Sequence, residues 1–181
     1  MMYISAVFFF LIFSISSVAA IYSDEAFNID FHYALLGQPL QHSTFFHQPN
    51  PVSKASLIYT VTDRSILGAI NPKDGSIVWR QQLNNCEYYD CFLRAGEGQD
   101  TIVSADEKEV SAWNAADGKL AWRASLEGHT IEDLQILDFP SINEESAVKD
   151  ALVLYNGSQL SVHRLSGDTG KTLWVYEYER Y

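Results

Sequence analysis

Positive charge is scarce in this chain: 12 Lys and Arg stand against 23 Asp and Glu, a formal net charge of −11 over 181 residues, and no Lys/Arg cluster occurs. Nucleic acid is therefore excluded as a partner, because its phosphates would be repelled and no basic patch exists to meet them. Beyond that, acidity speaks to solubility and association behaviour rather than to any one partner. Cysteine is nearly absent too, with only Cys86 and Cys91. A zinc site needs more ligands than these two at set spacing. No calcium loop of the form D-x-[DN]-x-[DN]-G appears, and no Ser/His/Asp or paired-carboxylate arrangement stands out from the acidic background. The acidic pairs Asp106-Glu107 and Glu144-Glu145 lie in polar stretches and read as solvated loop charge. His42 and His47 have no Cys, Asp or Glu beside them and read as a surface pair rather than metal ligands. No catalytic residue, metal or cofactor is expected.

Charge of either sign is missing from Tyr3 to Tyr22, and what fills that gap is an apolar run, Val7 to Phe13, followed by the small residues Ser17, Ala19 and Ala20. Residues 1–20 are read as a secretory signal cleaved after the small residues, an uncleaved anchor of about 20 residues being the competing reading. On either reading the remainder faces a lumen or the outside.

What the rest of the chain does have is repetition. Asn71-Pro-Lys-Asp74-Gly75-Ser-Ile-Val-Trp79-Arg80 is echoed by Asn114-Ala-Ala-Asp117-Gly118-Lys-Leu-Ala-Trp122-Arg123 and by Ser166-Gly-Asp-Thr169-Gly170-Lys-Thr-Leu-Trp174. The tryptophans are 43 and 52 residues apart, the length of one four-stranded propeller blade with loop variation. In each copy a four-residue loop, closed by Gly75, Gly118 or Gly170, joins two apolar runs, and glycine sits last, where a hairpin loop built on a type I turn needs positive φ. Asn71, Asn114 and Ser166 can bond their side chains to backbone further along the turn, and Pro72 pre-sets φ.

The strand leaving each turn carries Ile77 and Trp79, Leu120 and Trp122, or Thr172 and Trp174 on one face, and Val78, Ala121 or Leu173 on the other. A strand apolar on both sides is expected to be covered on both, with the indoles filling the space between stacked blades. Arg164 interrupts the apolar match in the third copy, where one face is expected to reach solvent. The fold class is thus an all-β propeller of four-stranded antiparallel blades. About three blades are expected, near 55–82, 92–126 and 132–178, with an extra strand near 27–33 from the alternation of Phe27, Ile29, Phe31 and Tyr33. Gln38 to Ser53 reads as a loop or a second extended segment. Propellers usually close with four to eight blades, so residues 21–181 are expected to form part of a ring, from a fragment, a shortened gene or a cut piece.

Two features fit an oxidising lumen. Cys86 and Cys91 are placed to close a local disulfide between blades, two unpaired thiols being the alternative. Asn156-Gly157-Ser158 is an N-glycosylation acceptor, and Asn-Gly between two strand-like runs is also a two-residue hairpin signal.

These residues, with Ile21-Tyr22-Ser-Asp24-Glu25 directly after the signal, the aromatic strand through Phe31 and the segment Ile70 to Arg80, resemble subunit 1 of the ER membrane protein complex, in its fungal form. The Gly-x-x-x-Trp repeat itself is shared with pyrroloquinoline-quinone-type propellers. The resemblance covers Ile21 to Tyr181. It implies a luminal scaffold of a complex that inserts and folds transmembrane proteins, sited on the luminal side of the endoplasmic reticulum in a single-pass subunit anchored later in its chain. The implied partners are the other subunits of that complex and, indirectly, client membrane proteins. Two rival readings use the same repeat. A quinone-dependent dehydrogenase would need a funnel with calcium and a disulfide between adjacent cysteines, from which C-x4-C departs. A luminal sensor of unfolded protein would share this architecture and differ only C-terminal to residue 181.

Overall fold

Period-two alternation with turn signals every few residues leaves this sequence little choice but strands, and twelve form among the described residues. The computed structural model describes residues 36–84, 86, 91–125, 130–138 and 148–178, all within the unit Leu35–Tyr181. The signal (1–20), the strand expected near 27–33 and the pair Glu144-Glu145 lie outside the described residues. Among the described residues no helix is long and apolar enough to cross a membrane.

The strands are β1 (Pro39–His47), β2 (Leu57–Thr62), β3 (Ile66–Ile70), β4 (Ile77–Gln82), β5 (Phe92–Ala95), β6 (Thr101–Ala105), β7 (Glu109–Asn114), β8 (Leu120–Ser125), β9 (Thr130–Leu137), β10 (Asp150–Asn156), β11 (Leu160–Leu165) and β12 (Thr172–Tyr178). They build three four-stranded sheets, β1-β2-β3-β4, β5-β6-β7-β8 and β9-β10-β11-β12, each pairing sequential neighbours antiparallel. This is the blade of an all-β propeller, and the three sheets do not close into a ring. The first blade draws its fourth strand from Pro39–His47, inside the stretch read as loop or extended segment, so it starts ahead of residue 55.

Two cores lie between the blades rather than within them. Leu57, Tyr59, Val61, Leu67, Ala69 and Trp79 of the first blade pack against Leu93, Ile102, Trp113 and Ala115 of the second. Val103, Ala105, Val110, Ala112 and Trp122 leave the second blade's other face and meet Leu134, Ala151, Val153, Tyr155 and Leu165 of the third. Alternation along β6 and β7 is what divides the middle blade's side chains between its two neighbours.

The fourth strands depart from simple alternation. In every blade the pairing of third to fourth strand shifts at the same place: Ala69 faces Trp79 but Ile70 faces Ile77, Ala112 faces Trp122 but Trp113 faces Leu120, and Arg164 faces Trp174 but Leu165 faces Thr172. Val78, Ala121 and Leu173 are the extra residues of three equivalent β-bulges. Ile77 and Trp79 therefore pair with adjacent residues of β3, which point to opposite sides, and do not share a face. Nor are these outer strands covered on both sides: Val78, Ala121 and Leu173 are all exposed. The bulge releases one apolar residue to solvent and aims the following tryptophan at the next blade.

The hairpin after β10 also differs from expectation. Asn156 pairs with Leu160, leaving a three-residue loop, and Gly157 is not among the glycines with positive φ. The Asn-Gly dipeptide is thus not the centre of a two-residue turn, the geometry that requires positive φ at both positions.

Candidate functional site

Each repeat turn is built the same way. The N–H of Gly75 donates to the carbonyl of Asn71 at 2.9 Å, that of Gly118 to Asn114 at 2.8 Å and that of Gly170 to Ser166 at 2.8 Å, while the chain is closed outside by Asn71 to Ser76, Asn114 to Lys119 and Ser166 to Lys171. The three glycines have φ of 72°, 70° and 68°, a region that side-chain-bearing residues enter at a cost. Asn71 Oδ1 accepts the N–H of Lys73 and Asn114 Oδ1 that of Ala116. Asp74 accepts from the N–H and the hydroxyl of Ser76, and Asp117 from the N–H of Lys119, whose ammonium lies 2.8 Å away. The hydrogen bonds from Ser76 and from Lys119 hold the carboxyls of Asp74 and Asp117 below the usual carboxylate range.

The turn of one blade receives the tryptophan of the blade before it. Trp79 Nε1–H donates to the carbonyl of Ala115 at 2.8 Å, and Trp122 Nε1–H to that of Gly167 at 2.6 Å. Each acceptor is the second residue of its repeat turn. The indole then lies against the turn glycine: a Cβ on Gly118 would sit 2.5 Å from the Trp79 ring, and one on Gly170 closer still to Trp122. Glycine is thus required twice over, by φ and by the approach of the ring. Both tryptophans are buried. Trp174 is not: it is 41% exposed, on a strand exposed along its whole length, because no turn of a further blade stands opposite it among the described residues. The expectation that all three indoles fill inter-blade space holds for Trp79 and Trp122 and is corrected at Trp174.

Residues far from the repeat hold the joints in place. The hydroxyl of Tyr59 lies 2.8 Å from the carbonyl of Ala55 and 2.9 Å from that of Ala115, so its single proton is shared between two acceptors, one of which also serves Trp79. Burial, then the charge of Asp100, pushes the Tyr59 phenol well above its ordinary range. At the second joint Asp150 takes the place of Tyr59. One of its oxygens accepts the N–H of Gly167 at 3.0 Å and the other accepts from Arg164, at 2.7 Å from Nε and 2.6 Å from the terminal nitrogen. Arg164 is therefore half-buried in an ion pair rather than a break leading to solvent. Nothing local in the sequence points to Asp150, which acts across 17 residues. The small side chains of Ala115 and Gly167, each directly after the residue that opens the turn, are the one signal that could have marked the acceptor carbonyls.

Cys86 and Cys91 form a disulfide with Cα atoms 5.3 Å apart, both buried in the first inter-blade core. It lies between β4 and β5, where the chain passes from one blade to the next, and the N–H of Cys86 donates to the hydroxyl of Ser65 at 2.9 Å. So short a loop should contribute about 2 kcal/mol. The Cys86→Ser/Cys91→Ser variant is expected to lose that amount in urea unfolding, and an unchanged midpoint would show that the cross-link adds nothing.

Asn156 is exposed at the end of β10, its amide donating to Glu132 at 3.0 Å. His42 and His47 both lie on β1, but only His42 is exposed. His47 is buried and its Nε2–H donates to the carbonyl of Gln99 at 2.7 Å, which occupies one potential ligand nitrogen. An open cleft of about 470 Å³ runs between β1 and β5, lined by Thr44, Phe45, His47, Arg94 and Glu97 among others. Among the described residues no group of three metal-ligating side chains comes together.

The family model described as the EMC1 N-terminal beta-propeller domain matches residues 20–180. Among curated relatives, the ER membrane protein complex subunit 1 of Xenopus laevis is 26% identical over 117 residues, 65% of this chain and 11% of that protein. The protein of the same description from Gallus gallus is 24% identical over 158 residues, 87% of this chain and 15% of that protein. The chain thus spans a small part of the length of the relatives it matches. Among solved structures, the computationally designed Ika8 protein superposes with a TM-score of 0.50 at 16% identity, covering 75% of this chain and 36% of that one, a likeness of fold alone.

Proposed function

This chain belongs to the family of the EMC1 N-terminal beta-propeller domain, and from that premise we propose that it is the N-terminal propeller part of a luminal scaffold subunit in a multi-subunit ER membrane complex that supports insertion and folding of transmembrane proteins. The observation that carries the reading is the family match across residues 20–180, which takes in all three blades. Relatives named as subunits of the ER membrane protein complex support the assembly. The role is non-enzymatic on this reading. The polar atoms of the repeat residues are engaged within the propeller: Trp79 and Trp122 bond from one blade to the next, and Asp74 and Asp117 brace their own turns. Likeness of fold to enzymes would carry no activity with it. The luminal setting rests on the uncharged leader and suits both the buried disulfide and the exposed acceptor Asn156.

The test is purification of the full-length protein through a C-terminal tag in mild detergent, with co-purifying proteins identified by mass spectrometry. A set of other membrane subunits in fixed ratio is the expected result, together with a mobility shift on enzymatic deglycosylation that Asn156→Gln removes. Recovery of the protein alone, carrying a bound quinone or calcium ion, would replace the scaffold by a redox enzyme.

A further inference from the structure

Leu83, Asn84 and Cys86 follow β4, where the chain crosses from the first blade to the second, and Ser65 in the turn before β3 fixes this crossing at two points. The N–H of Leu83 donates to the Ser65 carbonyl at 2.8 Å, and the N–H of Cys86 donates to the Ser65 hydroxyl at 2.9 Å. Leu83 and Cys86 are buried, while Asn84 between them is exposed. The side-chain amide of Asn84 donates to Glu109 at 2.6 Å. Such an amide has two hydrogens to donate, so one can be replaced without losing that bond. In the sequence Asn84 stands two residues ahead of Cys86, with Asn85 rather than proline between them. N-glycosylation reads a hydroxyl at that second position, and a thiol is a weaker donor of the same kind. Asn84-Asn85-Cys86 is therefore an acceptor sequence only while the Cys86 sulfur carries its hydrogen. In the folded protein it does not: Cys86 is joined to Cys91 and buried in the first inter-blade core.

We propose that Asn84 is a conditional N-glycan acceptor, open while Cys86 is a thiol and shut once Cys86 pairs with Cys91. The proposal rests on the luminal reading given above, which supplies both co-reactants: a lipid-diphosphate-linked oligosaccharide and a disulfide-bearing oxidant. In the transfer, the Asn84 amide nitrogen bonds to the anomeric carbon of the sugar and the bond from that carbon to the diphosphate oxygen breaks. The lipid diphosphate leaves with the bonding pair, and the amide gives up one proton. In the shutting step the two thiols pass two electrons and two protons to the oxidant, whose disulfide becomes a dithiol. Both steps belong to the unfolded chain, because the finished fold buries Cys86. The sequence separation of the two cysteines is 5, and a loop that short is cheap to close, so the disulfide prevails and the native chain carries little glycan at Asn84. A glycan there marks molecules whose disulfide formed late, and the exposed position of Asn84 lets them fold around it.

The test is made on the full-length protein produced in eukaryotic cells. Enzymatic deglycosylation in heavy-oxygen water turns each glycosylated asparagine into a labelled aspartate, and mass spectrometry of the peptide spanning residue 84 reads its occupancy. Cys91→Ser, which leaves the Cys86 thiol without its partner, is expected to raise occupancy of Asn84 several-fold over the native protein. Cys86→Ser, which puts a hydroxyl in the reading position, should raise it further, and Cys86→Ala should abolish it. Asn84 bare in Cys91→Ser but glycosylated in Cys86→Ser overturns the proposal and leaves the luminal reading standing. Asn84 bare in both overturns the proposal together with the luminal placement of this segment. Equal occupancy in Cys91→Ser and the native protein, or glycan persisting in Cys86→Ala, also overturns it. A second measurement needs no variant and no folded product: a membrane-permeant dithiol added during synthesis of the native protein should raise Asn84 occupancy, and the absence of any rise overturns the proposal.

Discussion

Trp122→Ala is expected to cost about 3–5 kcal/mol of folding free energy, the range for removing a large buried aromatic side chain. The indole packs with Val103, Ala112, Ala151 and Leu165 in the core between the second and third blades, lies against Gly170 and donates to the carbonyl of Gly167. Truncation opens a cavity at that seam and takes away the donor of a buried carbonyl, two penalties that add to the lost apolar burial. Trp174→Ala supplies the contrast. In the 181-residue chain that side chain is 41% exposed and the same truncation is expected to cost under about 1 kcal/mol, as surface substitutions do. Urea unfolding of the two variants checks the pair. Equal losses would show that seating an indole in the joint is not what stabilises the blades.

The repeat made the joint half legible. Gly-x-x-x-Trp marks a turn, a strand and an aromatic residue, because Gly75, Gly118 and Gly170 answer a local backbone demand that sequence displays directly. The destination of the aromatic is not local. Trp79 reaches Ala115, 36 residues on, and Trp122 reaches Gly167, 45 residues on, so only the stacking of blades discloses that one copy's tryptophan completes the next copy's turn. The bulge was hidden for a related reason. An extra residue at Val78, Ala121 or Leu173 changes no composition, yet it reverses the face of Ile77 relative to Trp79 and leaves an apolar side chain in solvent. Pro39–His47 was obscured by its own polarity: Gln41, His42 and Thr44 are exposed, and the strand breaks its register between Pro39 and Thr44. A strand of that kind lacks the clean alternation by which the others declare themselves. His47 illustrates the limit of composition, since a buried histidine bonded to Gln99 and a solvated one have the same sequence signature.

Asp150 is the residue whose removal tests how the joint is held. Its carboxylate accepts from Arg164 through one oxygen and from the N–H of Gly167 through the other, and both charged side chains are mostly buried, at 22% and 13% exposure. Asp150→Ala leaves the Arg164 guanidinium without that carboxylate in a site largely shielded from water, and removes a bond that holds the turn whose carbonyl receives Trp122. Loss of one partner from a buried ion pair costs about 3–5 kcal/mol, and about 3 kcal/mol is expected here because some water reaches Arg164. Asp150→Asn keeps an acceptor for the Gly167 N–H while giving up the charge, and should fall between the native protein and the alanine variant. The informative measurement is the double-mutant cycle of Asp150→Ala with Trp122→Ala. If Asp150 acts by setting the Gly167 carbonyl, part of its effect vanishes once no indole is there to use that carbonyl, and the two losses should fall short of additivity by about 1 kcal/mol or more. Strict additivity would assign Asp150 to its own blade alone, holding β10 to β11, and would leave the Trp122 joint dependent on packing rather than on a positioned acceptor.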